Sequence, residues 1–465
     1  MNHKGPGPQG QPSGPGDSEP GEPGSGPRIL VLGGGGREHA IVKALARSPQ
    51  NPRLFCAPGN PGIAADATCL PGIDPSDVPA VVEAALENGI DLVAVGPEAP
   101  LVAGAVDALT EAGIRAFGPT REAARLEGSK TFAKEAMREV GIPTASFTVL
   151  GDRDEALDRV SRASYPLVLK ADGLAAGKGV LICPTEAEAG EAVEVFFTER
   201  RFGKTEVVLE EFLDGEELSL VAICDGEVAI PLAPAQDYKR IGDGDTGPNT
   251  GGMGSYSPVA TVSDRDLAEL SATVHQPIVD LMARRGHPFH GILYAGLMMT
   301  ASGPKVLEYN TRFGDPETQA VLPRLRSDLV ELFTAACQPG GLAGLASGPA
   351  AESGRQLIEF SPEWAVTVVL ASAGYPASSS KGDPIEGLAA AAETAEVIHA
   401  GTAEHEGGVV TAGGRVLNLT GLGPDAAAAR QRAYDAAEAI QFEGKQMRSD
   451  IADRAVERAG QDRYK

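Results

Sequence analysis

The stretch RILVLGGGGREHAIVKALARS, residues 28–48, decides how the chain is read. An apolar run from Ile29 to Leu32 meets four glycines, Gly33 to Gly36, and an amphipathic pattern follows, which is the order strand, loop, helix. The order recurs downstream. LFCAPGN (54–60) ends a second strand, PAVVEAALENGI (79–90) reads as a helix, DLVAVGPEAPLV (91–102) as a third strand with its loop, and VAGAVDALTEAG (102–113) as another helix. Such alternation implies a parallel α/β sheet. Open sheets of this kind bind ligands beyond the carboxyl ends of their strands, which here means Gly33 to Arg37, Pro58 to Asn60 and Gly96 to Pro100.

Outward from this unit the texture changes. Residues 1–27 are dominated by Gly, Pro, Ser and Gln with no apolar residue beyond Met1, and they are expected to form a disordered tail. At 465 residues the chain should fold as several domains. A second domain begins near Gly128, where GSKTFAKEAMREVGIPTASF gives a helix stopped by Gly141 and Pro143. YPLVLKADGLAAGKGVLIC (165–183) reads as an antiparallel hairpin with a glycine-rich tip, and the strings from 206 to 240 as further strands. IGDGDTGPNTGGMGSYSP (241–258) has almost no apolar content and is expected to be a long substrate loop. GILYAGLMMTASGPKVLEYN (291–310) gives two strands around a turn, and a third, small α/β domain follows Cys337, ending in a helix from Asp425 to Ile440. The domains are therefore drawn at 28–128, 129–338 with a lid subdomain at about 149–216, and 339–465.

Acidic residues number 64 against 40 lysines and arginines, a net charge of -24, which argues against nucleic acid or an anionic membrane as partner. No apolar run is long enough to span a bilayer and no signal peptide is recognisable, so a cytoplasmic location is expected. The five cysteines are scattered without a CxxC pair and read as free thiols. His287 and His290 are separated by Pro288 and read as loop or surface residues rather than a helical metal pair.

Three motifs carry chemistry. The segment around Gly177, Lys178 and Gly179 lacks the spacing and the Ser or Thr of a Walker A loop, so a flexible hairpin over phosphates fits better. Gly33 to Gly36 completes no GxGxxG in either frame, which disfavours a dinucleotide. The same glycines at a helix start suit a monophosphate, with Arg37 supplying charge. Glu308 and Asn310 lie two apart on a strand, so two oxygen ligands leave one face toward a divalent cation, and Arg312 continues that face if the strand extends so far. Lys170 ends an apolar run and is expected to point into a cleft.

The strings GGGREHA, APGN, VGPEAPLVAG, FGPT, LEGSK, VLKADGLAAGKGV, EEFLDGEE, DTGPNTGGMGSYSP, LYAGLM and EYNTRFGDPETQ resemble the glycinamide ribonucleotide synthetases, of the ATP-grasp superfamily, over nearly the whole chain from Arg28. The resemblance implies an N-terminal parallel α/β domain, a central ATP-grasp domain with a mobile glycine-rich hairpin, and a small C-terminal α/β domain. It implies that Lys130, Lys170, Gly177, Lys178 and Gly179 meet ATP phosphates, that Glu210, Glu211, Phe212 and Leu213 meet adenine through their backbone, and that Glu217 holds the ribose. Glu308 and Asn310 match the metal ligands, for Mg²⁺ or Mn²⁺. Gly35, Gly36, Arg37, Asn60 and Glu98 match the phosphoribosylamine side, and Asp237, Arg312, Asp315 and Glu317 the glycine and transferred-phosphate region, with Arg312 and Lys170 catalytic. The implied reaction is ATP-dependent ligation of glycine to 5-phosphoribosylamine through glycyl phosphate, in purine biosynthesis, by a monomer. Another ATP-grasp carboxylate–amine ligase is the nearest rival. A catalytically silent nucleotide sensor is opposed by the intact Glu308, Asn310, Arg312 and both lysines.

Overall fold

Ile29 to Leu32 are shut off from solvent because the strand Arg28–Gly33 lies at the centre of a five-stranded sheet. Its neighbours are Arg53–Pro58 and Leu92–Val95, flanked by Thr68–Cys69 and Arg115–Phe117, and every pairing is parallel. Side chains alternate across the sheet: Ile29 and Val31 enter one apolar cluster, Leu30 and Leu32 another. A continuous apolar run is what a strand covered on both faces requires. The computed structural model describes residues 26–174, 179–346 and 358–462, so the expected tail and the hairpin tip with Gly177 and Lys178 lie largely or wholly outside the described residues.

The helix expected over 102–113 is two helices, Glu98–Ala103 and Ala105–Glu111. Gly104 between them has φ +90°, and a Cβ there would lie 2.6 Å from the Arg121 guanidinium. Helix Lys130–Val140 opens the central region, capped by the Ser129 side chain and ended by Gly141 in the left-handed conformation. Two antiparallel four-stranded sheets follow. The first orders Phe147–Leu150, Val207–Glu211, Leu167–Ala171 and Val180–Cys183, with helices Arg153–Ser161 and Glu186–Phe197 packed on it. The second orders Ala229–Pro231, Glu216–Asp225, His290–Thr300 and Gly303–Asn310. The antiparallel hairpin read at 165–183 is present, with Leu167 opposite Cys183.

The segment 241–258 is not a plain loop. Arg240–Gly242 and Thr246–Asn249 form a hairpin, and Gly254–Ser257 is a buried strand. That strand pairs with Trp364–Ala371 of the C-terminal region, in a sheet ordered Gln236–Asp237, Gly254–Ser257, Trp364–Ala371, Arg415–Gly423, Glu396–His399. Helix Ala426–Ala439 packs against it. The hairpin is pinned from the same side: the Arg448 guanidinium, 0% exposed, reaches Asp245 at 2.9 Å and Asp450 at 2.6 Å. The C-terminal sheet is thus built partly from central strands. Among the described residues the five cysteines are free, and no helix is long and apolar enough to cross a membrane.

Candidate functional site

A cavity of about 470 Å³ opens between the two central sheets and extends toward the carboxyl edge of the N-terminal sheet. One strand supplies its middle. Glu308 and Asn310, near the end of Gly303–Asn310, both line it, as alternation along a strand demands. Burial pushes the Glu308 carboxyl up, but the ammonium groups of Lys239, Lys170 and Lys130 and the Arg312 guanidinium outweigh it and hold Glu308 below the ordinary range. An ionised carboxylate beside an amide oxygen is a hard donor pair that fits Mg²⁺.

Arg312 sits at the join. Its Nη2 is 3.0 Å from Glu127 Oε1 and 3.4 Å from Asn310 Oδ1, and its Nη1 donates to the Phe313 carbonyl at 3.2 Å. Its Nε lies 3.4 Å from Glu98 Oε2 but makes no hydrogen bond, an orphaned buried donor on the cavity wall. Burial alone would lower the Arg312 pKa, yet Glu127 and Glu98 raise it above its ordinary value, so the charge is permanent.

Toward the lid sheet, Lys170 lines the cavity at the end of its apolar strand. Its Nζ meets Glu210 Oε2 at 3.0 Å, and Lys134 meets the same oxygen at 3.0 Å. Lys130 Nζ donates to the Gly173 carbonyl at 2.9 Å, at the root of the glycine-rich hairpin. Burial lowers the Lys130 pKa and Lys170 adds to this, with Glu308 and Asp172 offsetting only part. Glu210, Glu211, Phe212 and Leu213 form the wall beside them, and Phe212 is unusually exposed for a phenylalanine at 39%. Glu211 turns outward to Lys305 at 2.8 Å. Gly179 also lines the cavity.

Deeper in, Lys239 is ion-paired with Glu217 and lies 3.9 Å from Asp237. Burial pushes Asp237 up to about 8, against the pull of Lys239 and with the help of Glu317 and Glu217. Glu317 Oε1 accepts hydrogen bonds from Tyr294 at 2.7 Å and Ser219 at 3.2 Å. Asp315 is held on one oxygen by Gln319 at 2.7 Å and on the other by Arg415 of the C-terminal sheet at 3.1 Å. Burial raises the Asp315 carboxyl, but Arg415 and Arg37 bring it below its ordinary value.

The residues matched to the phosphoribosylamine side divide into two groups. Arg37 and Glu98 line the cavity, and Arg37 donates to Glu38 Oε1 at 2.6 Å and to the Phe313 carbonyl at 3.1 Å. Gly35, Gly36 and Asn60 stand behind that wall. Gly35 donates to Glu38 Oε2 at 2.7 Å, while Asn60 bridges the carbonyls of Gly34 and His399 at 2.9 and 3.0 Å. Sequence reasoning missed Glu127, Lys134, Lys239, Tyr294 and Arg415. A signal existed for two of them: Lys239 follows Asp237 at strand spacing, and Lys134 follows Lys130 by one helical turn.

Residues 27–127 match the N domain of phosphoribosylglycinamide synthetase, 128–318 its ATP-grasp (A) domain and 365–454 its C domain. The phosphoribosylamine–glycine ligase of Leifsonia xyli is 49% identical over 432 residues, 92% of this chain and 100% of its own. That of Streptomyces coelicolor is 49% identical over 92% of this chain and 99% of its own. The crystal structure of phosphoribosylamine–glycine ligase from Thermotoga maritima superposes with a TM-score of 0.77 at 36% identity, covering 91% of this chain and 100% of that one. The biotin carboxylase domain of 2-oxoglutarate carboxylase from Hydrogenobacter thermophilus, at 18% identity and TM-score 0.67 over 90% of this chain and 91% of its own, shares the fold. With three consecutive domain models matched and relatives near half identical along almost its full length, the chain belongs to the phosphoribosylglycinamide synthetase family.

Proposed function

We propose that this cavity joins glycine to 5-phosphoribosylamine at the expense of ATP, releasing ADP and phosphate. The observation that carries the reading is one continuous wall. It runs from Lys130, Lys170 and Glu210 to Leu213, past Glu308, Asn310 and Arg312, to Arg37 and Glu98 at the N-terminal sheet. Nucleotide, acid and amine thus have adjoining places in a single enclosure, as ordered two-step acyl transfer needs.

The residue roles follow from charge and position. Lys130 and Lys170 neutralise the nucleotide phosphates, and Glu308 with Asn310 would hold Mg²⁺, which supplies further neutralisation between them. Arg312, with its charge fixed and one donor unspent, stabilises the phosphoryl group as glycine's carboxylate attacks the γ-phosphate. Attack breaks the bond between the γ-phosphorus and the bridging oxygen and gives glycyl phosphate and ADP. Asp315 and Glu317 provide the anionic surroundings for glycine's ammonium group, and Asp237, raised by burial, offers a carboxyl oxygen beside them. The amine of phosphoribosylamine, held from the side of Arg37 and Glu98, then attacks the acyl carbon and phosphate departs. Glu217 meets the nucleotide ribose, and Gly179 lies on the phosphate side, the phosphate roles of Gly177 and Lys178 falling outside the described residues. Gly35, Gly36 and Asn60 shape the loop behind Arg37. The reading extends to a monomer that acts in the cytoplasm on small-molecule substrates.

The test is ADP release by the purified protein with ATP and Mg²⁺, with glycine and phosphoribosylamine supplied singly and together. ADP formed only with both supports the ligase. Turnover with another acid and amine, and none with this pair, would keep ATP-grasp chemistry and remove the substrate assignment.

A further inference from the structure

Lys134 is 2% exposed, lines the cavity, and has no place in the roles given above. It stands one turn after Lys130 on helix Lys130–Val140. Its ammonium lies 3.0 Å from Glu210 Oε2 and donates to Thr144 Oγ1 at 2.7 Å, and that hydroxyl donates onward to the Val306 carbonyl at 2.6 Å. Lys170 shares Glu210 Oε2 at 3.0 Å. One carboxylate oxygen therefore serves two ammonium groups, while the other, Oε1, is buried without any partner. A native protein rarely leaves a buried carboxylate oxygen bare unless something else fills it.

The arrangement has two electrostatic consequences. Lys170 and Glu210 alone would make a neutral pair, and a phosphate would compete with Glu210 for the ammonium. With Lys134 present the three groups carry net positive charge, which leaves Lys170 attractive to an anion. Oε1, meanwhile, is an unpartnered carboxylate oxygen on a residue that lines the cavity next to Glu211, Phe212 and Leu213. It welcomes an amino group and repels a carbonyl oxygen.

We infer that Lys134 is a positioning residue for the nucleotide: by sharing Glu210 with Lys170 it frees Lys170 for a phosphate and presents Glu210 Oε1 to the exocyclic amino group of the purine base. This deepens the ATP-dependent reading above and rests on it. Burial draws Lys134 down to about 8, and Glu210 is the group that pulls it back toward the charged form.

The experiment is steady-state ADP release by the full chain carrying Lys134→Met, with ATP and with ITP, whose base has a carbonyl where adenine has the amine. KM for ATP is expected to rise about tenfold to a hundredfold, the size of one lost charge-assisted hydrogen bond. kcat should change less, KM for glycine should hold, and the preference for ATP over ITP should shrink by a similar factor. Lys134→Arg should restore part of it. Unchanged KM for ATP and unchanged ATP preference in a folded Lys134→Met protein would overturn the inference, as would equal losses for every substrate. If Lys134→Met does not fold, Thr144→Val takes its place: it removes the second anchor, so a smaller rise in KM for ATP is expected and its absence counts against the role. A wild-type protein inactive with glycine and phosphoribosylamine rejects the ligase reading instead. Calorimetric binding of ATP and ITP to wild type and variant then decides the Lys134 role separately.

Discussion

The Arg312 guanidinium is locked to Glu127 at 3.0 Å in the wall of the cavity, and Glu127 is itself held by the Thr311 backbone N–H at 2.7 Å. Each needs the other. Removing Arg312 leaves a buried carboxylate without its counter-charge, a change that costs about 3–5 kcal/mol. Arg312→Ala should therefore melt at lower temperature and give ambiguous kinetics. Arg312→Lys keeps the charge but loses the planar fork. It is expected to fold and to lower kcat by about 10²–10³, as loss of an oxyanion-type donor does. A folded Arg312→Lys protein with wild-type kcat would remove Arg312 from the phosphoryl step.

Glu308 offers a sharper reading of the metal site. Because neighbouring cations already hold it ionised, Glu308→Gln changes the charge presented to a metal with little change in shape. The Mg²⁺ concentration giving half-maximal activity should rise at least about tenfold, one charge-assisted contact in size. Titration of activity against Mg²⁺ checks it. A superimposable curve for Glu308→Gln would place the metal elsewhere.

Much of this was legible in the sequence, and the rest was not for identifiable reasons. Ile29 to Leu32 announces a doubly covered strand because both of its faces are apolar, and periodicity is local information. Glu308, Asn310 and Lys170 follow from strand alternation and from where an apolar run stops. Lys134 and Lys239 were missed although each follows a candidate at helical or strand spacing, since what makes them special is a carboxylate, Glu210 or Glu217, delivered by a distant strand. Likewise Gly254–Ser257 looks like loop because its partners, Trp364–Ala371, lie far along the chain. Pairing of that kind depends on tertiary context and leaves little trace in a ten-residue window. Arg415 reaches Asp315 only through the same sheet, so the C-terminal contribution to the cavity was hidden with it.

Gly36 tests how tightly that C-terminal sheet backs the glycine-rich loop. A Cβ at Gly36 would lie 2.6 Å from Asn418 Nδ2 and 2.7 Å from Gln319 Nε2. Asn418 is 1% exposed and has nowhere to retreat, while Gln319 cannot move without releasing Asp315. Gly36→Ala should lower stability by about 1–3 kcal/mol through overpacking. It should also raise KM for phosphoribosylamine more than KM for ATP. Equal KM values in wild type and variant would mean that the loop's spacing from Asn418 does not matter to the acceptor.

Acid should separate the N-terminal and C-terminal parts at a defined pair of histidines. His39 Nδ1 accepts the His399 backbone N–H at 2.8 Å, and the two rings lie 5.8 Å apart. Burial, His399 and Lys43 hold His39 down at about 3, and burial with Lys43 holds His399 at about 4, both below the 6.5 of a free histidine. Between those values and 6.5 the unfolded chain takes up protons that the folded chain refuses. The histidine contribution to stability is therefore complete above pH 6.5 and declines as the pH falls toward 4. At pH 5 each buried histidine should cost about 2 kcal/mol relative to pH 7. Asp237, raised to about 8 by burial, titrates in the opposite sense, so the effect must be read as a difference between variant and wild type. His39→Gln keeps an acceptor for the His399 N–H and cannot be protonated. Urea unfolding of both proteins at pH 7 and pH 5 is the measurement. His39→Gln is expected to gain about 2 kcal/mol on wild type over that interval, and a constant difference between the two proteins would show that His39 is already free to protonate in the folded state.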